Sequence, residues 1–496
     1  MIKNFLHNFS TVEKICAISI LLALALLVGQ HWGMMLSNSD DPWIIQQNLP
    51  ARIQSAAAQG RFWLIPINTL AALPYQSGNW ALANSMKIVV NGAVLLFFTQ
   101  FCIRLTTIST GLLMGLVWLA LIDVSPGFYS PFHGFLLMFN LQFAVLFFSF
   151  SWYLKAIDTK DPAAPIVGPY LLFAFAILAY EPMLFYAGVY PMLFLARKYF
   201  DPPEKFSKLQ PSMLIKDFFQ ANYMLVIIVF LYVATYFLYR SMQDTPGRGI
   251  DGVGNVEDFF NTVWRFSIYG LHLQSNPLAG YSSDATPTSL LALAASYGVI
   301  IGIGSFLVLP LINQNTHSNL LHSKLFLACA AFFVFSPNLL LGLVEAYRRW
   351  ASDDPHYVGN YLSSFPLAML FSAGLVGLVG GKQAKREKLL LFMVAALLAT
   401  SATDNYLRWG LLAGKNRADV EVWHQAIHEV IHQESSSLGP NATICGLNRP
   451  ETVSGDDTYW SKYLSSQLGK PITYYSKNLN AVHCDLTLDF NRFRGH

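Results

Sequence analysis

Long apolar runs separated by polar connections dominate the pattern of the chain. Runs of about 17 to 25 apolar residues, long enough to cross a bilayer as a helix, recur between residues 15 and 405. They predict an all-α polytopic membrane protein with about eleven transmembrane helices. The predicted spans are 15–36, 84–103, 107–124, 133–154, two within 166–199, 218–239, 288–312, 325–344, 360–380 and 389–405.

One apolar run, 166–199, is too long for a single span and is interrupted by Tyr180-Glu181-Pro182. Proline ends a helix, so the pattern predicts a hairpin of two spans with Glu181 at its tip. A carboxylate at membrane depth indicates function by default. A tip exposed to water is the structural alternative, and a partnership between Glu181 and carboxylates of another loop is also open.

The polar segments predict two domains. Residues 1–415 form the transmembrane domain, with long loops at 37–83, 240–287 and 345–358, and interfacial helices are expected near 51–63 and 256–273. Residues 416–496 predict a small α/β module. Its expected elements are helices at 420–434 and 458–468 and strands at 442–447, 472–475 and 484–490.

The distribution of Lys and Arg predicts the orientation. With a cytoplasmic N-terminus, the connections rich in these residues fall on the cytoplasmic side, as the positive-inside rule requires. They contain Arg104, Lys155, Lys324 and the clusters within 197–216 and 382–388. The three long loops and the C-terminal module then lie outside the cytoplasm, in a bacterium in the periplasm.

Composition agrees with the membrane class and excludes other classes. Hydrophobic residues make up 54% of the chain and charged residues 12%, against about 25% charged in soluble domains. A net charge of +3 with no basic stretch interleaved with aromatic residues gives no indication of a nucleic-acid partner. The tail cysteines Cys445 and Cys484 either form a disulfide or remain free thiols.

No metal or cofactor site is predicted. The chain lacks the Cys/His spacings of zinc sites and the motifs of nucleotide-binding loops. His424, His428 and His432 recur every four residues, which favours a solvated helix face over a metal site. The sequence therefore shows no required cofactor, and a divalent metal stays open as an alternative that no motif supports.

The first long loop contains an acidic pair, Asp40-Asp41, directly after the first span. Two adjacent carboxylates repel each other, which raises the pKa of one of them and suits a general base. Arg61 in the same loop can bind a phosphate with its planar guanidinium. A solvated helix end is the alternative for the acidic pair.

Loop 345–358 carries cationic and aromatic side chains that suit an anionic ligand. They are Arg348, Arg349, His356 and Tyr357. Arginines on the side away from the cytoplasm oppose the positive-inside bias, which indicates a bound partner. A phosphate is one such partner, and salt bridges with Glu345, Asp353 or Asp354 are the other; both interpretations remain open.

Five short patches contain the charged and aromatic residues of the candidate site and its surroundings. They are Asp40-Asp41, Gly60-Arg61-Phe62, Tyr180-Glu181-Pro182, Pro355-His356-Tyr357 and Asn360-Tyr361-Leu362. These patches resemble the GT-C class of membrane glycosyltransferases, and most closely the bacterial O-antigen glucosyltransferases. In that branch an Asp-Asp pair is followed by a Gly-Arg and, in a helix hairpin, by a Tyr-Gln; here Glu181 stands where Gln is usual.

The resemblance implies an inverting transfer of a hexose such as glucose. The donor would be a polyprenyl-phosphate sugar, such as one on undecaprenyl phosphate, and the acceptor a surface glycan or lipid-linked glycan such as lipopolysaccharide. It implies Asp40 as the base, with Asp41 and Glu181 as further catalytic carboxylates. The leaving phosphate would contact Arg348, Arg349, His356 and Tyr357, with Arg61 in reserve.

Other functions remain open at this stage. A polysaccharide polymerase or ligase would use a long late loop, for which 240–287 is available. A lipid or solute transporter or flippase would place ionisable residues within spans and repeat its two halves. The charged residues of this chain concentrate in loops and its halves show no repeat, which favours the transferase.

Overall fold

A computed structural model gives the architecture of the chain. It describes residues 9–30, 49–59, 61, 64–76, 79–122, 138–158, 167–195, 211–242, 255–268, 287–313, 320–345, 347–349, 358–379, 384–430, 437–449, 457–476 and 482–493. The described part is a bundle of helices followed by a small α/β module. The protein is therefore a helical membrane protein with a C-terminal sheet, as the hydrophobic pattern predicts.

The helices account for most of the described residues. In chain order they are α1 (Thr11–Gln30), α2 (Leu49–Gln59), α3 (Leu64–Gln76), α4 (Trp80–Leu105), α5 (Ile108–Leu121), α6 (Met138–Asp158), α7 (Val167–Ile177), a 3-10 helix (Glu181–Gly188), α8 (Val189–Leu195), α9 (Pro211–Ser241), α10 (Val256–Ile268), α11 (Thr288–Asn313), α12 (Leu320–Gly342), α13 (Val358–Val379) and α14 (Ala384–Glu429). The module adds β1 (Ala442–Leu447), α15 (Asp457–Leu468), β2 (Ile472–Tyr475), β3 (Leu486–Asp489) and a short 3-10 helix (Phe490–Phe493).

Six helices in the described residues are long and apolar enough to cross a membrane. They are α1, α4, α9, α11, α13 and α14. Shorter apolar helices of 10 to 17 residues occur within α3, α5, α7 and α12. The predicted number of about eleven crossings is not confirmed, because several predicted spans form helices shorter than a bilayer requires.

The interrupted run 166–199 folds back on itself. Helix α7 has 11 residues, the 3-10 helix begins at Glu181 with Pro182 in its first turn, and α8 has 7 residues. The Tyr190 hydroxyl donates to the carbonyl of Pro169 at 3.4 Å, so the two ends of the hairpin lie side by side. Two full-length spans are not confirmed here, because the described helical residues of the two arms are 167–177 and 181–195.

Close helix packing depends on small residues where α11 meets α14. A Cβ atom on Gly298 would lie 2.6 Å from the backbone oxygen of Ala399 and 2.0 Å from the Thr403 hydroxyl. One turn later, a Cβ atom on Gly302 would lie 2.9 Å from the Cβ of Ala399. Small residues let the two backbones approach, which is how helices associate in a membrane without a hydrophobic driving force.

Helix α10 is amphipathic, in agreement with the predicted interfacial helix. Val263 and Phe266 are buried, whereas Val256, Phe260 and Trp264 are exposed. The buried face packs on α12, where Phe259 and Val263 lie about 3 Å from the position of a Cβ on Gly342. The exposed apolar side suits the membrane interface.

The module agrees closely with the predicted elements. Its three strands form a parallel sheet in the order β2-β1-β3, and Ile444 pairs with Tyr474 on one side and Leu486 on the other. Trp423 of α14 stacks on Phe490 and contacts Trp460 in the module core. Cys445 and Cys484 form a disulfide, so the structure selects this alternative over two free thiols.

No break separates the bundle from the module. Helix α14 is continuous over 46 residues and passes through the predicted boundary at 415/416. The last predicted span and the first predicted helix of the module are therefore parts of one helix.

Candidate functional site

An ion pair between Arg61 and Glu181 joins two distant parts of the chain. The Nε atom of Arg61 donates to both carboxylate oxygens of Glu181 at 3.0 and 3.1 Å, and Nη2 donates to Oε2 at 2.7 Å. The side chains are only 23% and 16% exposed. One edge of the guanidinium is thereby fixed against the carboxylate, which is the strong, geometrically specific form of this interaction.

Local structure explains how both side chains reach this position. Arg61 lies in the short connection between α2 and α3, where its amide donates to the Ala56 carbonyl and its carbonyl accepts from Leu64, both at 2.9 Å. Glu181 is the first residue of the 3-10 helix, directly after the extended residue Tyr180. The helix break at the hairpin tip thus turns Glu181 toward the first long loop.

Aromatic side chains surround the ion pair. The guanidinium of Arg61 lies over the ring of Tyr180, 5.1 Å from its centroid, at a distance where a cation and a ring attract. Tyr347 interacts electrostatically with Arg61 and Tyr180, and Tyr232 of α9 does so with both members of the pair. Four elements of the fold therefore meet at Arg61.

Electrostatics keep Arg61 charged. Desolvation by burial opposes its charge, but the Glu181 carboxylate outweighs this effect and raises the pKa of Arg61 well above its usual value. At Arg52 of α2, which is also buried, desolvation alone lowers the pKa. Arg61 is thus a permanent cation at every accessible pH, in a place with little solvent.

Helix α4 carries a row of buried polar side chains. Asn84, Lys87 and Asn91 recur on one face of α4, and each is at most 3% exposed. The Lys87 ammonium donates to the Asn84 side chain at 3.4 Å. Asn140 of α6 donates to Asn91 and accepts from the Tyr361 hydroxyl.

One aromatic contact connects the polar row with the ion pair. Phe139, the residue before Asn140, packs edge-on against Tyr180 with the ring centroids 4.9 Å apart. The row and the ion pair are thus connected through the chain neighbours of Asn140 and Glu181. Burying a lysine and three asparagines in a membrane domain costs free energy, and such residues usually have a function. We therefore include them in the candidate site.

The first turns of α13 tie the neighbouring helices together. The Trp118 indole donates to Ser364 at 3.1 Å, and the Tyr186 hydroxyl donates to the carbonyl of Leu362 at 2.6 Å. Asn338 of α12 donates to Ser363 at 2.8 Å and to Ser267 of α10 at 3.0 Å. This network fixes the helix that directly follows the predicted site residues His356 and Tyr357.

The structure describes only some of the predicted site residues. Asp40, Asp41, His356 and Tyr357 lie outside the described residues. Arg349 pairs with Glu345 on the surface, where the two side chains are 76% and 53% exposed, which agrees with the salt-bridge alternative. Arg348 donates to the Gly342 carbonyl at 2.8 Å and so caps the end of α12.

The described residues offer no obvious metal centre. No group of three or more His, Cys, Asp or Glu side chains occurs among them. His424 and His428 lie on α14, and His432 is outside the described part. The described site instead provides one fixed guanidinium, one ammonium and several hydroxyl and amide groups.

The hydrophobic pattern did not reveal Lys87 and Asn140 as site residues, and it indicated Tyr361 only as part of the patch Asn360-Tyr361-Leu362. Each lies within an apolar run, where an average over about 20 residues conceals a single polar side chain. The positions 84, 87 and 91 do share a helical face, and that spacing was an available signal.

Comparisons with known proteins assign no function to this arrangement. Neither a protein-family model nor a curated protein sequence matches the chain.

Proposed function

We propose that the protein is a membrane glycosyltransferase that moves a sugar from a polyprenyl-phosphate donor to a glycan or lipid-linked acceptor. One observation carries the proposal. Arg61 and the Tyr180-Glu181 pair, which belong to two of the patches resembling O-antigen glucosyltransferases, are 120 residues apart in sequence and form a single cluster. If the similarity of these patches had only a structural origin, there would be no reason to expect contact between Arg61 and Tyr180-Glu181.

The proposed reaction takes place on the side of the membrane away from the cytoplasm. The positive-inside bias of the connections supports this orientation. The Cys445–Cys484 disulfide supports it independently, because disulfides persist in oxidising compartments such as the periplasm. In this proposed orientation the acidic pair, Arg61 and the module lie on the side away from the cytoplasm.

In the proposed mechanism Asp40 takes the proton of the acceptor hydroxyl, with Asp41 beside it. The acceptor oxygen attacks the anomeric carbon as the bond to the phosphate oxygen breaks, and the configuration inverts. Negative charge grows on the leaving phosphate, and a fixed cation in a dry site stabilises this charge most effectively. Arg61 meets that requirement, whereas Arg349 is exposed and paired at the surface.

We assign Glu181 a positioning role. Its two oxygens accept hydrogen bonds from the Arg61 guanidinium, which fixes the position of that cation. A glutamine, the usual residue of the similar branch, would still accept a hydrogen bond from Arg61. Lys87, a buried cation in the polar row of α4, is a second candidate contact for the donor or its leaving group in this proposal.

Transport is the second candidate. The discontinuous hairpin with an ion pair at its tip is typical of binding sites in transporters. A transporter would move a lipid-linked sugar across a vesicle membrane without forming a new glycosidic bond. Assays of flux and of bond formation on the same vesicles separate the two functions.

The decisive experiment measures sugar transfer from an undecaprenyl-phosphate hexose in membranes containing each variant. We expect Asp40→Asn and Arg61→Gln each to lower kcat by about 100-fold or more. Glu181→Gln should stay within about fivefold of the unchanged protein, because the amide preserves one hydrogen bond to Arg61. Asp158→Asn, at the far end of α6, is the matched control with an exposed carboxylate.

Two results would contradict these assignments. Full transfer by Asp40→Asn, in normally inserted protein, would remove the proposed base. A loss in Glu181→Gln as large as that in Asp40→Asn would make Glu181 a catalytic acid or base instead of a positioning residue.

A further inference from the structure

The carboxyl ends of the three parallel strands meet the start of α15 at one edge of the module. Ser476 directly follows β2, and its amide and hydroxyl donate to the Asp457 carboxylate, in the first turn of α15, at 2.9 and 2.5 Å. Asn448 and Arg449 follow β1, and Asp489 is the last residue of β3. We call these five residues the carboxyl edge of the module. In open α/β sheets, ligands bind outside the carboxyl ends of the strands.

Tyr474 of β2 places a buried hydroxyl beside the carboxyl edge. The residue is 1% exposed, and its hydroxyl makes no hydrogen bond with the residues that the structure describes. The ring crosses the neighbouring strand at Gly446, where an added Cβ would lie 2.0 Å from the hydroxyl oxygen. Burial raises the pKa of Tyr474, so the hydroxyl keeps its proton and remains a hydrogen-bond donor. A buried hydroxyl without a partner costs free energy, which favours a binding role for it.

Positive charge lies beside the Tyr474 hydroxyl. Arg449 interacts electrostatically with it, as does Asp457 at the start of α15. The distance from Arg449 Nη1 to Asp457 Oδ1 is 4.0 Å, which is at the limit of an ion pair. The first amide groups of α15 carry the partial positive charge of a helix N-terminus, and the Ser461 hydroxyl, which accepts from the Tyr474 amide at 2.7 Å, holds this helix against β2. The guanidinium, the phenol and the helix N-terminus therefore converge.

The carboxylates of the carboxyl edge have donors within the module. Asp457 accepts both hydrogen bonds from Ser476. Asp489 accepts from the Asn448 side chain at 2.9 Å and from the Asn491 amide at 3.1 Å. These carboxylates thus stabilise the turns after the strands. Convergent donors beside a helix N-terminus are the arrangement that binds an oxyanion.

We propose that the carboxyl edge of the module binds an oxyanion, a phosphate or a carboxylate group, between the Tyr474 hydroxyl and the Arg449 guanidinium. Both side chains donate to the anion, and the N-terminal turn of α15 stabilises its charge. The Arg449 side chain is 23% exposed, so the anion reaches the site from solvent at this residue. The inference goes beyond the proposed function and does not depend on it, because sugar transfer takes no part in it.

Hydrogen exchange in the purified full-length protein tests the proposal. The protection of the amides of β1 and β2 is titrated with inorganic phosphate, with glucuronate and with uncharged glucose at constant ionic strength. We expect a Kd on the order of 1 mM for at least one anion and no protection by glucose. Tyr474→Phe should raise this Kd about tenfold, and Arg449→Gln at least as much. Tyr475→Phe is the matched control, because successive side chains of a strand point to opposite faces, and its Kd should stay within about twofold.

The same variant separates binding from packing. Without an anion, Tyr474→Phe should protect these amides more strongly than the unchanged protein does, because it removes a buried hydroxyl that has no partner among the described residues. This result also shows that the variant is folded. With an anion, Tyr474→Phe should lose most of the added protection. A side chain that only fills space in the core does not produce this pair of opposite effects.

The two anions identify the group that binds. Protection by phosphate alone assigns a phosphate group, and protection by glucuronate alone assigns a carboxylate. The proposal is overturned if neither anion protects the strands at about 100 times the expected Kd, or if glucose protects them equally. An unchanged Kd in Tyr474→Phe also overturns it. None of these results alters the outcome of the sugar-transfer assay, so the two proposals fail independently.

Discussion

The Arg61–Glu181 ion pair should stabilise the bundle, and the effects of mutating its two members on the free energy of unfolding should be coupled. Arg61→Met leaves the Glu181 carboxylate without its partner, and Glu181→Met leaves the Arg61 guanidinium without its partner. Both side chains are largely buried, because Arg61 is only 23% exposed and Glu181 only 16%. Loss of one partner of a buried pair costs 3 to 5 kcal/mol, and the residual exposure places each single variant near the lower end, at about 3 kcal/mol. The double variant leaves neither charge, so its cost should fall short of the sum by about 2 kcal/mol.

The free energy of unfolding can be measured by reversible SDS titration in mixed micelles, followed by tryptophan fluorescence. The exposed Glu345–Arg349 pair provides the control cycle, with an expected coupling below about 0.5 kcal/mol. Additive costs at Arg61 and Glu181, within about 0.5 kcal/mol, would refute the inference that the pair joins the first loop to the hairpin.

Two further predictions concern other parts of the fold. Gly298→Ala should destabilise the bundle by about 1 to 3 kcal/mol, because its Cβ would lie 2.6 Å from the backbone oxygen of Ala399. Gly374→Ala, a helical glycine whose Cβ would meet nothing within 4 Å, should be neutral or stabilising in the same titration. The disulfide predicts that Cys16 and Cys102 accept a maleimide mass tag after denaturation without reductant, whereas Cys445 and Cys484 accept it only after reduction. Tags on Cys445 and Cys484 without reductant would show that the tail thiols are free and would remove the support for an oxidising compartment.

The module was the most predictable part of the structure. Its strands are short apolar segments bounded by turn residues, and the predicted bounds 442–447 and 472–475 agree with β1 and β2. Period-two and helical patterns are local properties, so a single sequence contains them. The continuity of α14 was not predicted, because the polar residues after 405 resemble the end of a helix. A helix that leaves the membrane can, however, continue into water with polar residues.

The candidate site was predictable only in its parts. Glu181 stood out because a carboxylate and a proline interrupt an apolar run, and Arg61 stood out as a cation in the first loop. Their pairing was not predictable, since nothing local relates two residues 120 positions apart. The hydrogen bonds that join Asn91, Asn140 and Tyr361 were not predictable for a related reason, because the three residues lie on three different helices.

The uninterrupted α14 gives the module a fixed angular phase relative to the bundle. At 1.5 Å per residue its 46 residues extend about 69 Å, more than twice the thickness of a hydrocarbon core. A single residue added between the membrane and Trp423 would turn the module by about 100°, whereas seven added residues would return it close to its original direction while moving it outward by about 10 Å. The number of residues in this helix therefore determines which surface of the module faces the membrane.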